Sequence, residues 1–468
     1  MIEPAVETAP KLHKQGNLNP TTMHIVVATA LNAGQAEYKN MGDVAMLQVT
    51  VTRLSELWPD ARIQVLTDSA SNLARYCPTA TALSRPDCAC WLSDRFFIGR
   101  FHRYLPKRLA VFLTSLKKFV GFRCPGLMKA FIDLRLKFRD STGIGENLRS
   151  FTESIKTCDA MVVCGSGGFA DSCREWNFFI LGAMAEAIIR GKMVVMFGQG
   201  IGPLSDPAVL SWARHVLPKV QLIALRGTRG DREILESVGV QQPRMITTGD
   251  DAVELAHSVP SVRQRDAIGV NLRVAFYSEV NVHVVEEVGS VLHNFARQQH
   301  AALLPVPIAF HECANDRETI RRLMAGFDDQ SDGGSTLDTP RKIVEQIARC
   351  RVVVTGAYHA AVFALSQGIP VIGLSNSSYY DSKFKGLETL FESGCVTIAL
   401  DDPNFAKKLH VAIEEAWGSA DKVRLPLLNS ATQQIERGRS AYQSLKSLLE
   451  RRAQRNSLFD SVRAERVV

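Results

Sequence analysis

Several side chains in this 468-residue sequence stand where a strand should hand the chain over to a helix, and each brings chemistry there. His359, in "TGAYHAAVFALSQGIPVIGL", titrates near neutral pH and can exchange a proton during a reaction. Arg226, in "ALRGTRGDRE", closes a strand, and an arginine so placed can clamp a carboxylate or phosphate through two parallel hydrogen bonds. Lys383, in "SSYYDSKFKGL", adds a point charge suited to phosphate, with Lys385 close by. Arg226 with Lys383 suits a small dianion. Asp43, in "KNMGDVAML" with Asn40 and Gly42, either caps the helix it opens or offers a carboxylate at the mouth of a cleft. Simpler roles compete. A histidine after a strand is often a packed core residue, and Arg229 and Arg232 read as surface ion pairs.

Two glycine-rich turns accompany these residues. "CGSGGFAD" holds Gly167 and Gly168, where bare backbone can approach a ligand and helix-start N–H groups suit an anion. It is not a Rossmann G-x-G-x-x-G, and the lysine of a P-loop is missing. "GQGIGPLSDP" offers Gln199 and Gly200 to the cleft, while Pro203 and Asp206 read as turn and cap chemistry.

The elements that must hold these groups alternate from Met23 onward: "MHIVVATAL" and "ARIQVLTDS" as strands, "GDVAMLQVTVTRLSELWP" between them as a helix. That rhythm predicts an α/β fold with parallel sheets covered on both faces. A polar stretch, His257 to Ala267, divides the chain. The expected layout is a disordered leader (1–20), a first Rossmann-like domain (21–258), a second (267–425) and a helical tail (426–468). Two such domains leave a cleft between the carboxyl ends of their strands.

Composition narrows the function classes. Apolar residues make up 46% and charged residues 22%, ordinary for a globular protein. Apolar runs fall short of the roughly 18–20 residues needed to cross a bilayer, and the leader lacks a signal peptide's apolar stretch, so a cytoplasmic location is expected. Ten scattered cysteines read as free thiols. His311-Glu312 is too little for a metal site, and none is predicted. The net charge of +7 is local: between Arg95 and Asp140 twelve Lys or Arg face two Asp, a balance of +10 that leaves −3 elsewhere. This basic, aromatic segment (95–140) reads as a helical insertion in the first domain, with peripheral contact to anionic membrane as the sharper alternative. No nucleic-acid partner is expected, since no recognised binding module surrounds it.

"NMGDVAML", "CGSGGFAD", "GQGIGP", "ALRGTRGDREIL", "YHAAVFALSQGIPVI" and "YYDSKFKGL" occur in the order typical of the polysaccharide pyruvyl transferase family, which the chain resembles from about Asn40 to Leu387 apart from the basic segment. The resemblance implies a GT-B-like fold, two Rossmann-like domains facing across a cleft. It implies transfer of the pyruvyl group of phosphoenolpyruvate, a donor substrate needing no cofactor, onto a sugar, generally as a cyclic ketal across two hydroxyls. Carried over by motif, His359 is the active-site histidine, Arg226 the donor-binding arginine of the first domain, and Lys383 the lysine of the Tyr/Asp-x-Lys turn. Gly167, Gly168, Gln199 and Arg273 are expected to join them around the donor. Asp43, Asn40, Tyr358 and Tyr380 are expected to face the acceptor, a sugar of a cell-surface polysaccharide or its lipid-linked precursor. The family usually has Arg-Leu-His-Ala where this chain has Ala357-Tyr358-His359-Ala360; either Arg273, or Lys383 with Lys385, covers the lost charge, or the donor differs, or the protein is inactive, and an active variant is the expectation. The competing readings are a GT-B glycosyltransferase using a nucleotide sugar and a non-catalytic member of a polysaccharide assembly complex.

Overall fold

Strands here are short runs of Val, Ile, Leu and Ala buried on both faces, as sheets sandwiched between helices demand. The computed structural model describes residues 22–31, 39–85, 144–227, 229–260, 266–274, 282–311 and 314–465, with scattered positions between 106 and 134. The leader at 1–20 and most of the basic segment at 95–140 lie outside the described residues. Within that segment Leu109, Phe112 and Leu116 are helical and exposed, whereas Met128 is buried and Val120 and Phe131 pack on the first domain's core.

The first domain runs β1 (His24–Ala28), α1 (Met41–Leu57), β2 (Arg62–Leu66), α2 (Ala70–Tyr76), β3 (Thr81–Leu83), α3 (Ile144–Thr157) and β4 (Ala160–Val163). It continues with β5 (Ser166–Phe169), α4 (Arg174–Ile189), β6 (Met193–Ile201), α5 (Pro207–Val216), β7 (Leu222–Leu225), α6 (Arg229–Ser237), β8 (Met245–Thr247) and α7 (Ala252–Ser258). Its strands lie in the order β3-β2-β1-β4-β6-β7-β8, all pairs parallel, with β5 also pairing β6.

The second domain has β9 (Ala267–Asn271), α8 (Val282–Gln298), β10 (Ala302–Pro305) and a small antiparallel pair, β11 (Phe310–His311) with β12 (Ala314–Asn315). Then come α9 (Asp316–Met324), α10 (Pro340–Ile347), β13 (Val352–Thr355), α11 (Tyr358–Ser366), β14 (Val371–Ser375), α12 (Ser378–Phe391) and β15 (Cys395–Ala399). Its parallel sheet has the order β10-β9-β13-β14-β15.

The tail helix crosses the boundary read at 425/426. One helix, α13 (Phe405–Glu465), passes through Pro426 without a break. Proline removes one helical N–H and crowds the preceding turn, but buried Leu409 and Ile413 before it and Leu427 and Ala431 after it hold both halves against the body. Among the described residues no helix is long and apolar enough to cross a membrane.

The two domains share one apolar core. Val44 and Leu54 of α1, Ala252 and Ala256 of α7, and Val362 and Phe363 of α11 belong to the same buried cluster. Loops also join across the cleft: Met41 N donates to Ile308 O and Phe310 N to Lys39 O.

Candidate functional site

The candidate groups lie at or beyond the carboxyl ends of parallel strands, where helix starts and open backbone leave room for a ligand. Asp43 lies in the first turn of α1, Gly167 in β5, Arg226 directly after β7, His359 in the first turn of α11 and Lys383 in α12. All five line one cavity of about 300 Å³ between the domains.

The cap of α1 is Asn40, whose Oδ1 accepts from Gly42 N (3.0 Å) and Asp43 N (3.4 Å). Asp43 is thereby released from capping and turns its carboxyl to the cavity. Burial raises that carboxyl to about 6, with Arg226 and Lys383 pulling it the other way.

His359 is almost fully buried, 6% exposed. Its Nε2 lies 3.4 Å from Arg226 Nη1 and 3.7 Å from Asp250 Oδ2. Arginine can only donate, so Nε2 accepts and the neutral ring carries its proton on Nδ1. Burial is the main reason its pKa falls to about 3; Asp250 resists that shift and Arg226 adds to it. On the opposite side the ring packs on Gly42, where any Cβ would lie 1.9 Å from His359 Cγ.

Arg226 is buried and held by Asp250, Nη1 to Oδ2 at 2.7 Å, with its guanidinium 4.6 Å from the centre of the Tyr358 ring. A Cβ on Gly167 would lie 2.7 Å from Arg226 Nη2, 2.8 Å from Lys383 Nζ and 3.2 Å from Tyr379 Oη. Two cationic groups and a phenol therefore converge over bare backbone, an arrangement suited to anionic oxygens. Lys383 Nζ donates to Tyr379 Oη at 2.5 Å, and Tyr379 in turn donates to Gly167 O at 3.1 Å. Burial, then Arg226, lowers the ammonium pKa to about 7, so the lysine gains or loses its charge within the physiological range.

The remaining expected residues fall out unevenly. Tyr358 and Tyr380 line the cavity, as does Asn40. Arg273 also lines it, but Asp316 takes its Nε (2.6 Å) and Nη2 (2.8 Å), so its charge is matched inside the second domain. Gly168 lines the cavity beneath Trp176, whose indole occupies the space of a Cβ there. Gln199 is displaced from the expected role: it is fully buried, and its Nε2 donates to the carbonyls of Val163, Cys164 and Phe197. It bridges the ends of β4 and β6 and does not face the cavity. His311 lines the cavity, whereas Glu312 lies outside the described residues. No group of three His, Cys, Asp or Glu among the described residues is placed to hold a metal ion.

Two residues went unnoticed in the sequence. Asp250 follows β8 and was visible as a carboxylate at a strand's carboxyl end. Tyr379 stands four residues before Lys383, one turn away on the same helix face.

The sequence model of the family described as polysaccharide pyruvyl transferase matches residues 40–378. No curated protein sequence matches the chain. Among solved structures, the UDP-GlcNAc 2-epimerase of Neisseria meningitidis aligns at TM-score 0.52 and 9% identity over 92% of this chain and 100% of its own. A glycosyltransferase of Rickettsia africae aligns at TM-score 0.50 and 10% identity over 92% and 99%. At such identities the likeness is one of fold: two Rossmann-like domains in the GT-B arrangement.

Proposed function

The chain belongs to the polysaccharide pyruvyl transferase family, and on that premise we propose that it moves the pyruvyl group of phosphoenolpyruvate onto a sugar as a cyclic ketal across two hydroxyls. One observation carries the reading: Arg226, Lys383 and the Tyr379 hydroxyl converge on the backbone of Gly167, in the cavity that His359 and Asp43 also line.

The donor is small and carries a carboxylate and a phosphate, so cations must hold it. With Ala357 in place of the family arginine and Arg273 committed to Asp316, Lys383 supplies the second positive charge beside Arg226. The donor's negative charge favours protonation of Lys383 and offsets the desolvation that keeps His359 neutral. His359 can then take a proton and pass it to the donor's methylene carbon, an acid–base contribution of roughly 10²–10⁴ in rate. Asp43, ionised above about pH 6, receives a proton from the attacking hydroxyl.

The acceptor we propose is a sugar of a cell-surface polysaccharide or its lipid-linked precursor, met at the cytoplasmic face of the membrane. Exposed Leu109, Phe112 and Leu116 in a segment rich in Lys and Arg support contact with anionic lipid there.

Thermal unfolding with phosphoenolpyruvate and with a panel of nucleotide sugars tests the reading. The expected result is stabilisation by phosphoenolpyruvate alone, and acceptor-dependent phosphate release that drops about a hundredfold or more in His359→Ala. Stabilisation by a nucleotide sugar instead would mark a glycosyltransferase; stabilisation by neither, with no phosphate release, would mark a non-catalytic member.

A further inference from the structure

Gly167, Arg226, Tyr358, Tyr379 and Lys383 line two adjoining cavities. Beyond the one that holds His359 and Asp43 lies a second, of about 270 Å³. Its remaining lining comes largely from two motif-bearing turns, Gly200 and Gly202 at the end of β6 and Gly227 and Asp231 after β7, with Ser382 of α12 opposite. Those turns are bare for a reason. A Cβ on Gly200 would lie 3.0 Å from Arg226 Nε, one on Gly202 2.3 Å from Ile234 Cδ1, and one on Gly227 1.8 Å from Asp231 Oδ2.

Arg226 and Lys383 thus line both cavities. Asp231 sits in the first turn of α6 with Oδ2 buried and without a hydrogen-bond partner among the described residues. Burial raises its carboxyl to about 7, with Arg226 the main opposing influence. Near neutral pH this carboxyl is available as an acid. An approaching dianion strengthens its hold on the proton.

We propose that the second cavity receives the phosphate group of the donor and releases it to solvent, with Asp231 as the acid that protonates it. The inference rests on the pyruvyl-transfer reading and adds a leaving-group site to it. The enol carbon and carboxylate stay beside His359, and the phosphate lies past Arg226 and Lys383 in the adjoining cavity. When the bond between that carbon and the phosphate oxygen breaks, its electron pair stays on the oxygen, which takes the Asp231 proton. Two hydroxyl protons leave the acceptor overall; one ends on the new methyl carbon and one on phosphate, and Asp231 is reprotonated from solvent. The acceptor glycan then occupies one cavity while phosphate departs through the other.

Ser382 and Ser172 are exposed residues that line only the second and only the first cavity, respectively. Inorganic phosphate and phosphoenolpyruvate are titrated by calorimetry into the full-length protein, Ser382→Phe and Ser172→Phe. The expected result is phosphate binding weakened at least tenfold in Ser382→Phe and within twofold of wild type in Ser172→Phe. Equal loss in both, loss only in Ser172→Phe, or no phosphate binding by wild type overturns the inference. Asp231→Asn should still bind phosphate but release it from phosphoenolpyruvate at least tenfold more slowly, with the limb of the pH–rate profile near 7 reduced to the part that Lys383 contributes; an unchanged rate and profile also overturns it. Absence of phosphoenolpyruvate binding in wild type together with intact, Ser382-sensitive phosphate binding would instead sink the pyruvyl-transfer reading and leave a phosphate site standing.

Discussion

His359 keeps its place because the residue it packs on has no side chain. A Cβ on Gly42 would sit 1.9 Å from His359 Cγ and 2.0 Å from Nδ1, so Gly42→Ala has to push the ring out of line. A displacement near 1 Å at a reacting group can cost about a hundredfold in rate; a loss of that order in kcat, with the circular dichroism of wild type, is expected. Lys383 gives a second outcome. Burial holds its pKa near 7, so the cationic form grows as pH falls from 8 to 6, and phosphoenolpyruvate should bind more tightly over that interval. Calorimetry across the interval checks it, and Lys383→Met should weaken the dependence to the part that Asp231 contributes. At this scale the sequence was a partial guide. His359, Arg226 and Lys383, singled out by their strand-to-helix turns and by the family motifs, line one cavity. Gln199 misled because it also stands near a strand end; inside a nine-residue strand its side chain turns inward to carbonyls, a direction that position alone does not reveal. Whether Asp43 caps or faces the cavity depended on Asn40, three residues earlier, taking the cap.

Among the elements, α13 does what its spacing could not announce. Its helical period was readable in the tail, but its start at Phe405 and its partner surface were not, because Pro426 reads locally as a stop. The far half crosses back to the first domain, where Tyr442 stacks on Phe197 with ring centres 3.8 Å apart. The Tyr442 hydroxyl donates to Thr50 Oγ1 (3.0 Å) and lies within hydrogen-bond reach of Asp251 Oδ2 (3.3 Å). Arg53 of α1 completes the knot, bonding Asp251 and Glu254 at 2.6 Å each with its own side chain 4% exposed. Asp251 adjoins Asp250, the residue that holds Arg226, so α1, α7 and α13 together brace the site from behind. Removing one partner of a buried pair strands the other charge, at a cost of about 3–5 kcal/mol. Arg53→Met is therefore expected to lose that much in urea unfolding, with Asp251 left uncompensated. A loss below about 1 kcal/mol would mean that water reaches Asp251 and the knot is not a dry one.

For the whole molecule, the alternating pattern foretold two α/β domains but not how firmly they are joined. Domains that meet through small polar surfaces move relative to one another by default, and a large apolar interface suppresses that motion. Here Val44, Ala256, Phe363 and Tyr442, drawn from α1, α7, α11 and α13, belong to one buried cluster that spans both domains. Gln367 of the second domain also donates to Ala256 O of α7. Opening the cleft would expose that cluster, at roughly 25 cal/mol for every Å² of apolar surface returned to water. The site is thus held ready by the shared core, with Arg226 and His359 at 3.4 Å from opposite domains. Donor binding should accordingly leave the small-angle scattering profile superimposable on that of the free protein, while raising the thermal midpoint through the charges it neutralises. A fall in the radius of gyration on adding phosphoenolpyruvate would show instead that closure assembles the site, and that the shared core yields to a ligand of only a few atoms.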